Sequence, residues 1–157
     1  MTADPLAAWA PVYPHLTYED PATAAQWLER VFGLRQRVRM TGEDGDLIVA
    51  KLQTPAGGLV MVSGRSGEWL RSRVAGFHQP DAPGWPELSH TVSVLVDDVD
   101  AHHAHARAQG ALILTDPRDQ PWGLRTYAAI DIEGHQWEFA QRLASVPLEA
   151  WGATLVQ

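Results

Sequence analysis

The chain contains no cysteine. Disulfides, thiolate metal sites and a cysteine nucleophile are therefore excluded. Long apolar runs are also missing, and none approaches the roughly 20 residues a membrane-spanning helix needs. The opening stretch, MTADPLAAWAPVYPHL, has neither the basic start nor the continuous apolar run of a secretory leader. Basic residues are scarce: 12 Lys and Arg against 19 Asp and Glu leave a net charge of −7. Nucleic-acid binding needs a basic footprint, so neither nucleic acid nor a membrane is expected as a partner. The charge mildly favours a cationic or neutral ligand, although ordinary soluble proteins are often this acidic. A cytoplasmic location is the expectation.

What is present is enough for a substantial core. Hydrophobic residues make up 45% of 157 residues, and seven of them are Trp. That length suits one domain or two small, tightly joined halves.

An internal repeat organises the chain. HLTYEDPATAAQWLERVFGL (15–34) and VSVLVDDVDAHHAHARAQGAL (92–112) each run from a short alternating strand through an acidic pair into a helix that stops at glycine. Asp20 and Asp98 are placed to cap the helix starts, and Pro21 suits a first helical position. Gly33 and Gly110 permit the left-handed backbone that closes a helix. In the first helix Trp27, Val31 and Phe32 form an apolar stripe; in the second, Val99, His103 and Ala106 form a weaker one. His102 and His105, one turn apart, are expected to be solvated. Strand patterns follow each helix, at 35–40, 47–54 and 58–64 in the first half and at 111–116, 125–132 and 136–142 in the second. Each half thus reads β-α-β-β-β. The segment between them is long and carries Trp69, Phe77 and Trp85. A connection of that length inside a compact chain is usually functional or disordered, and its aromatics argue for a cap over a pocket or interface.

The two modules, the stretch VDDVDAHHAHARAQGA after a strand, and DQPWGLRTYAAIDIEGHQWEF near the end together resemble the vicinal oxygen chelate superfamily, the glyoxalase/bleomycin-resistance/dioxygenase group. The resemblance implies an α+β fold in which two βαβββ modules form a cupped mixed sheet with a central cleft. The expected layout is a single domain over 1–157, with module 1 at 11–64, a linker or lid at 65–87, module 2 at 88–142 and a tail at 143–157. A homodimer is also implied, with Leu148, Trp151 and Leu155 of the tail reaching across it or docking on their own subunit.

Many members of that family hold a divalent metal through one position on the first and one on the last strand of each module. Strand alternation assigns these positions in this chain. Trp137 and Phe139 fit the helix side, which turns Glu138 and Gln136 towards the cleft. On the first strand, taken as 11–18, Tyr13, His15 and Thr17 face the cleft, and the family position falls nearest Tyr13. On the strand at 90–96 it falls on Thr91, with Ser93 alongside; His90 is one residue early and has the wrong alternation. In the strand at 58–64 the acid position falls among Leu59, Val60, Met61, Val62 and Ser63, none of which is a carboxylate or imidazole. A catalytic metal usually needs three protein donors in fixed geometry. No cofactor is expected. The alternative is a divalent Fe, Zn, Ni or Mn held by His15, His90 and Glu138.

The resemblance therefore implies a metal-free small-molecule-binding protein that sequesters an antibiotic or other toxic metabolite. Its cleft would be lined by Tyr13, His15, Thr17, Thr91, Ser93, Gln136 and Glu138. Trp122, Arg125 and Tyr127 add stacking and hydrogen-bonding groups, the alternative for Arg125 being an ion pair with Asp119 or Asp131. The alternative function is a metal-dependent lyase, isomerase or dioxygenase with His15 and Glu138 as ligands. Without metal, Glu138 would be the candidate general base, so the residues leave open whether any reaction is catalysed.

Overall fold

The computed structural model describes residue 10 and residues 12–64 and 90–156. The expected lid at 65–87, with Trp69, Phe77 and Trp85, lies outside the described residues. The elements are β1 (His15–Tyr18), α1 (Pro21–Phe32), β2 (Arg35–Thr41), β3 (Leu47–Gln53), β4 (Leu59–Gly64), β5 (Thr91–Leu95), α2 (Val99–Ala108), β6 (Leu112–Asp119), β7 (Leu124–Ile130) and β8 (Gln136–Arg142), followed by a 3-10 turn at Leu148–Trp151. They form two four-stranded mixed sheets, ordered β1-β4-β3-β2 and β5-β8-β7-β6. The first and last strands of each module, β1 with β4 and β5 with β8, pair in parallel, and all other pairs are antiparallel. The fold is α+β and built from two repeated βαβββ modules, as the resemblance implied.

The helices begin and end where their residues dictate. Asp20 accepts from the Thr23 backbone N–H at 3.0 Å and from the Thr23 hydroxyl at 2.6 Å, and Pro21 opens the first turn. Those Thr23 bonds hold the Asp20 carboxyl below its ordinary range. Gly33 closes the helix at φ 69°, a conformation that costs a side chain with a Cβ. Asp98 accepts from the Ala101 N–H at 2.9 Å in the same way.

Two strands differ most from their expected extents. β1 starts only at His15, because Pro14 has no N–H for the ladder, although its carbonyl still accepts from the Met61 N–H at 2.9 Å. β6 runs on to Asp119, through Pro117 and two register shifts. It is the outer strand of its sheet, where a missing N–H breaks no inner ladder.

One core joins the modules. Leu28, Val31 and Phe32 of α1 bury with Ala50, Leu52, Val60 and Val62 of the first sheet and Tyr127, Trp137 and Phe139 of the second. The Phe32 ring crosses between modules, 4.8 Å from Phe139 and 5.5 Å from Trp137 by ring centroid. Burying each such side chain contributes about 1.5–3 kcal/mol.

Polar ties reinforce the junction. Asp131, in the β7–β8 turn, is buried and accepts from the Tyr18 hydroxyl at 2.7 Å, the Trp137 indole at 3.0 Å and the Glu133 and His135 backbone N–H groups. Glu133 reaches the start of α1, accepting from the Glu19 N–H at 2.6 Å and the Asp20 N–H at 3.0 Å. The His135 Nε2 bonds the Thr17 carbonyl at 3.0 Å.

The expectation that His102 and His105 are solvated holds for His105, which is exposed, and is corrected for His102, which is half-buried; both also bond to other residues. His102 Nε2 donates to the Phe32 carbonyl at 3.1 Å and its Nδ1 lies 2.7 Å from the Tyr127 hydroxyl. His105 Nε2 donates to the Arg30 carbonyl at 2.8 Å. The reason is that the last turn of α1 leaves carbonyls without intrahelical partners, and the touching helices bring α2 within reach of them. His103 does pack as expected, edge-on to Tyr127 at 5.0 Å.

Candidate functional site

Sheet register decides which side chains share the face away from the helices. In the first sheet Leu16, Tyr18, Val60, Val62, Ala50 and Leu52 take the buried helix side. His15 and Thr17 therefore turn to the helix-free face, with Met61 and Ser63 opposite them on β4 and Lys51 opposite Met61 on β3. Tyr13 joins this face, with its ring 5.3 Å from the Lys51 ammonium. In the second sheet Thr91, Ser93 and Leu95 lie opposite Gln136, Glu138 and Ala140. Trp137 and Phe139 are fully buried on the other side, so Glu138 faces as its flanking rings implied.

Tyr13, His15, Thr17, Thr91, Ser93, Gln136 and Glu138 thus all occupy helix-free faces. Several of them are already engaged. His15 Nε2 is 2.7 Å from the Ser63 hydroxyl, and partial burial holds its imidazole below the ordinary histidine range. The Ser93 hydroxyl donates to Glu138 Oε1 at 3.1 Å. His90 is exposed, with its ring 5.9 Å from that of His135. Among the described residues no three His, Asp or Glu side chains converge as a metal-holding group would.

Arg125 and Tyr127 require correction. Thr126 pairs with Ala140 on the Glu138 face, so its two neighbours point to the helix side. Arg125 is bound there by Asp119 at 2.6 Å and by both oxygens of Asp100 on α2, which raises its pKa. The Asp119 partner was foreseen; Asp131 is occupied elsewhere and Asp100 takes its place. Tyr127 lies buried against His102, and that burial pushes its hydroxyl well above the ordinary tyrosine range. Neither is positioned to touch a ligand over Glu138.

Trp122 lies at the far end of the second sheet, 6.2 Å from Trp151 in an edge-to-face pair. The tail docks on its own subunit: Leu143 and Ala144 donate to the Gly123 carbonyl, and Leu148 and Trp151 fold back beside Trp122. A hollow of about 640 Å³ opens between tail and sheet, with Leu95, Leu124 and Arg142 as its floor. Leu95 and Arg142 also line a smaller cavity of about 250 Å³ beside Ala56 and Asp97.

Three residues escaped the sequence reading. Lys51 is 5% exposed although it stands on a helix-free face, and the alternation of LIVAKLQT would have placed it there. Arg142 shares the alternation of Glu138 two steps along β8. Asp131 gave no signal, because a buried hub depends on partners distant in sequence.

Comparison with known proteins agrees with this architecture. The chain matches the model of the Glyoxalase/Bleomycin resistance protein/Dioxygenase superfamily over residues 10–139. Among solved structures it is similar to TioX from Micromonospora sp. ML1, with 36% identity and a TM-score of 0.63, covering 85% of this chain and all of that one. It shares its fold with a glyoxalase/bleomycin resistance protein/dioxygenase family enzyme from Burkholderia phytofirmans PsJN, with a TM-score of 0.65 at 17% identity over 83% of this chain and 97% of that one. An uncharacterized protein of Mycobacterium bovis is 30% identical over 136 residues, covering 87% of this chain and 86% of its relative. The chain belongs to the glyoxalase/bleomycin resistance protein/dioxygenase superfamily.

Proposed function

We infer that this protein binds a small molecule without a metal, in the manner of the family's bleomycin-resistance branch, and sequesters an antibiotic or other toxic metabolite. The observation that carries the reading is the residue set at the four positions that hold metal in many relatives. Glu138 stands opposite Ser93, and Met61 stands opposite His15, two residues beyond Thr91 and Tyr13 respectively. The four positions therefore carry Tyr13, Met61, Thr91 and Glu138. A phenol, a thioether, a hydroxyl and one carboxylate do not fit a divalent metal that needs three imidazole or carboxylate donors. The count is the same whether the faces meet within one chain or between two, because the positions belong to the modules. The metal-dependent alternative would need His15 and Glu138 released from their serine partners and a third donor added.

Lys51, His15, Gln136 and Glu138 offer ligand-directed polar groups instead, and the apolar hollow beside Trp122 has the size of a small-molecule site. The test is a Trp-fluorescence titration with aromatic antibiotics, with and without EDTA. Saturable binding indifferent to the chelator is expected. Binding that EDTA abolishes and added metal restores would refute the reading.

A further inference from the structure

The hollow between the tail and the second sheet has a lining that selects a chemical class. Leu95, Leu124, Leu148 and the two rings of Trp122 and Trp151 make it apolar. Both indoles keep open surface, 42% and 38% exposed. They touch each other edge-on, so a ligand would lie against the pair and over the leucines rather than between the rings. Arg142 is the one charged residue of the lining, and no acid shares it. Its guanidinium makes no ion pair with any described acid, in a chain where acids outnumber bases 19 to 12. Arg125 and Arg107, by contrast, are both held by aspartates.

We propose that this hollow is the subsite for a planar aromatic group carrying a carboxylate, with the ring on Trp122 and Trp151 and the acid on Arg142. The proposal rests on the metal-free binding reading and deepens it. A guanidinium presents a planar fork that matches a carboxylate with two parallel bonds. At the rim of an apolar wall such a pair is less screened than in open water, so it discriminates acid from amide. The net charge of −7 predicts the opposite preference, for cations. That field is screened over about 8 Å at physiological salt, and the local arginine prevails at contact distance.

The probes are naphthalene-2-carboxylate and its neutral analogue naphthalene-2-carboxamide, titrated against the full chain by Trp fluorescence and calorimetry. The carboxylate is expected to bind saturably and quench Trp emission, with the carboxamide weaker by about tenfold. Arg142→Gln should erase that difference and Arg142→Lys retain part of it. Trp151→Ala should weaken both probes alike. Both positions are exposed, so circular dichroism should show an intact fold. Absence of saturable carboxylate binding, equal affinity for the two probes, or a preference that survives Arg142→Gln would each overturn the proposal. Metal-free binding of a different ligand that depends on Glu138 but not on Arg142 would sink this subsite while leaving the functional reading in place. Chelator-sensitive binding at Glu138 would do the reverse.

Discussion

The two modules share a backbone plan but divide the work unequally. Their turns superimpose in register: Thr54, Ala56 and Gly57 of the β3–β4 turn stand where Asp131, Glu133 and Gly134 stand in the β7–β8 turn. The second turn carries two carboxylates that grip the first module, one on Tyr18 and one on the start of α1. The first turn carries neither; where Glu133 would have its twin, Ala56 borders the cavity beside Asp97. The helix-free faces differ as well. The row Lys51–Met61–His15 in one sheet corresponds to Ala128–Glu138–Ser93 in the other, a cationic centre against an anionic one. The repeated modules share a frame, while the junction chemistry is concentrated in one half and the helix-free faces differ in charge.

The largest test of this asymmetry is a pair of substitutions at equivalent positions. Asp131→Ala strands the Tyr18 hydroxyl, the Trp137 indole and two backbone donors, and should cost about 3 kcal/mol or more in urea unfolding. Thr54→Ala, its twin, should stay within about 1 kcal/mol. Comparable losses would mean that the junction is not one-sided.

Gly123→Ala comes next. Gly123 sits at φ 85°, and a Cβ there would collide with the Ala144 carbonyl. A loss of about 1–3 kcal/mol is expected, together with a more exposed Trp emission as the tail lifts from Trp122. A stable variant with unchanged fluorescence would show that the tail does not depend on this close approach.

Smaller and of opposite sign are Glu133→Ala and Ala56→Glu. The first should destabilise by about 1 kcal/mol, through loss of the acceptor at the start of α1. The second supplies the missing twin to α2 and should stabilise by about 0.5 kcal/mol. Thermal unfolding of both, at low and high salt, checks the pair; destabilisation by Ala56→Glu would show that the two turns are not equivalent in space.

The smallest effect is on pH dependence. Burial holds the His102 imidazole below its ordinary value of 6.5, so the folded chain favours the neutral ring. Its contribution is complete above pH 6.5 and is lost as pH falls from there through the lower folded value, because the unfolded chain takes up the proton first. His102→Gln should flatten this slope, with His15, also lowered by burial, leaving a residue of it. An unchanged slope in the variant would remove His102 from the account.

The fold was legible because local signals agreed with one another: Asp20 and Asp98 as caps, Gly33 as a stop, and alternation in TVSVL and QWEF. Alternation also placed Glu138, His15 and Thr91 correctly, since it needs no knowledge of partners. It would have placed Tyr127 and Arg125 too, had β7 been numbered from Thr126, whose register with Ala140 fixes the face. What could not be read was long-range. The Asp131 hub spans 113 residues to Tyr18, and the bond from His105 to Arg30 spans 75. The hollow beneath Trp151 exists only because the tail turns back onto its own sheet.

The central claim is that the face bearing Glu138 holds a small molecule and no metal. Elemental analysis of protein purified without chelator, beside calorimetric titration with Zn²⁺, Ni²⁺, Mn²⁺ and Fe²⁺, tests it most directly. The account predicts substoichiometric metal and no uptake that differs between the unaltered chain and Glu138→Ala. One equivalent of metal per chain, lost in Glu138→Ala, would contradict it.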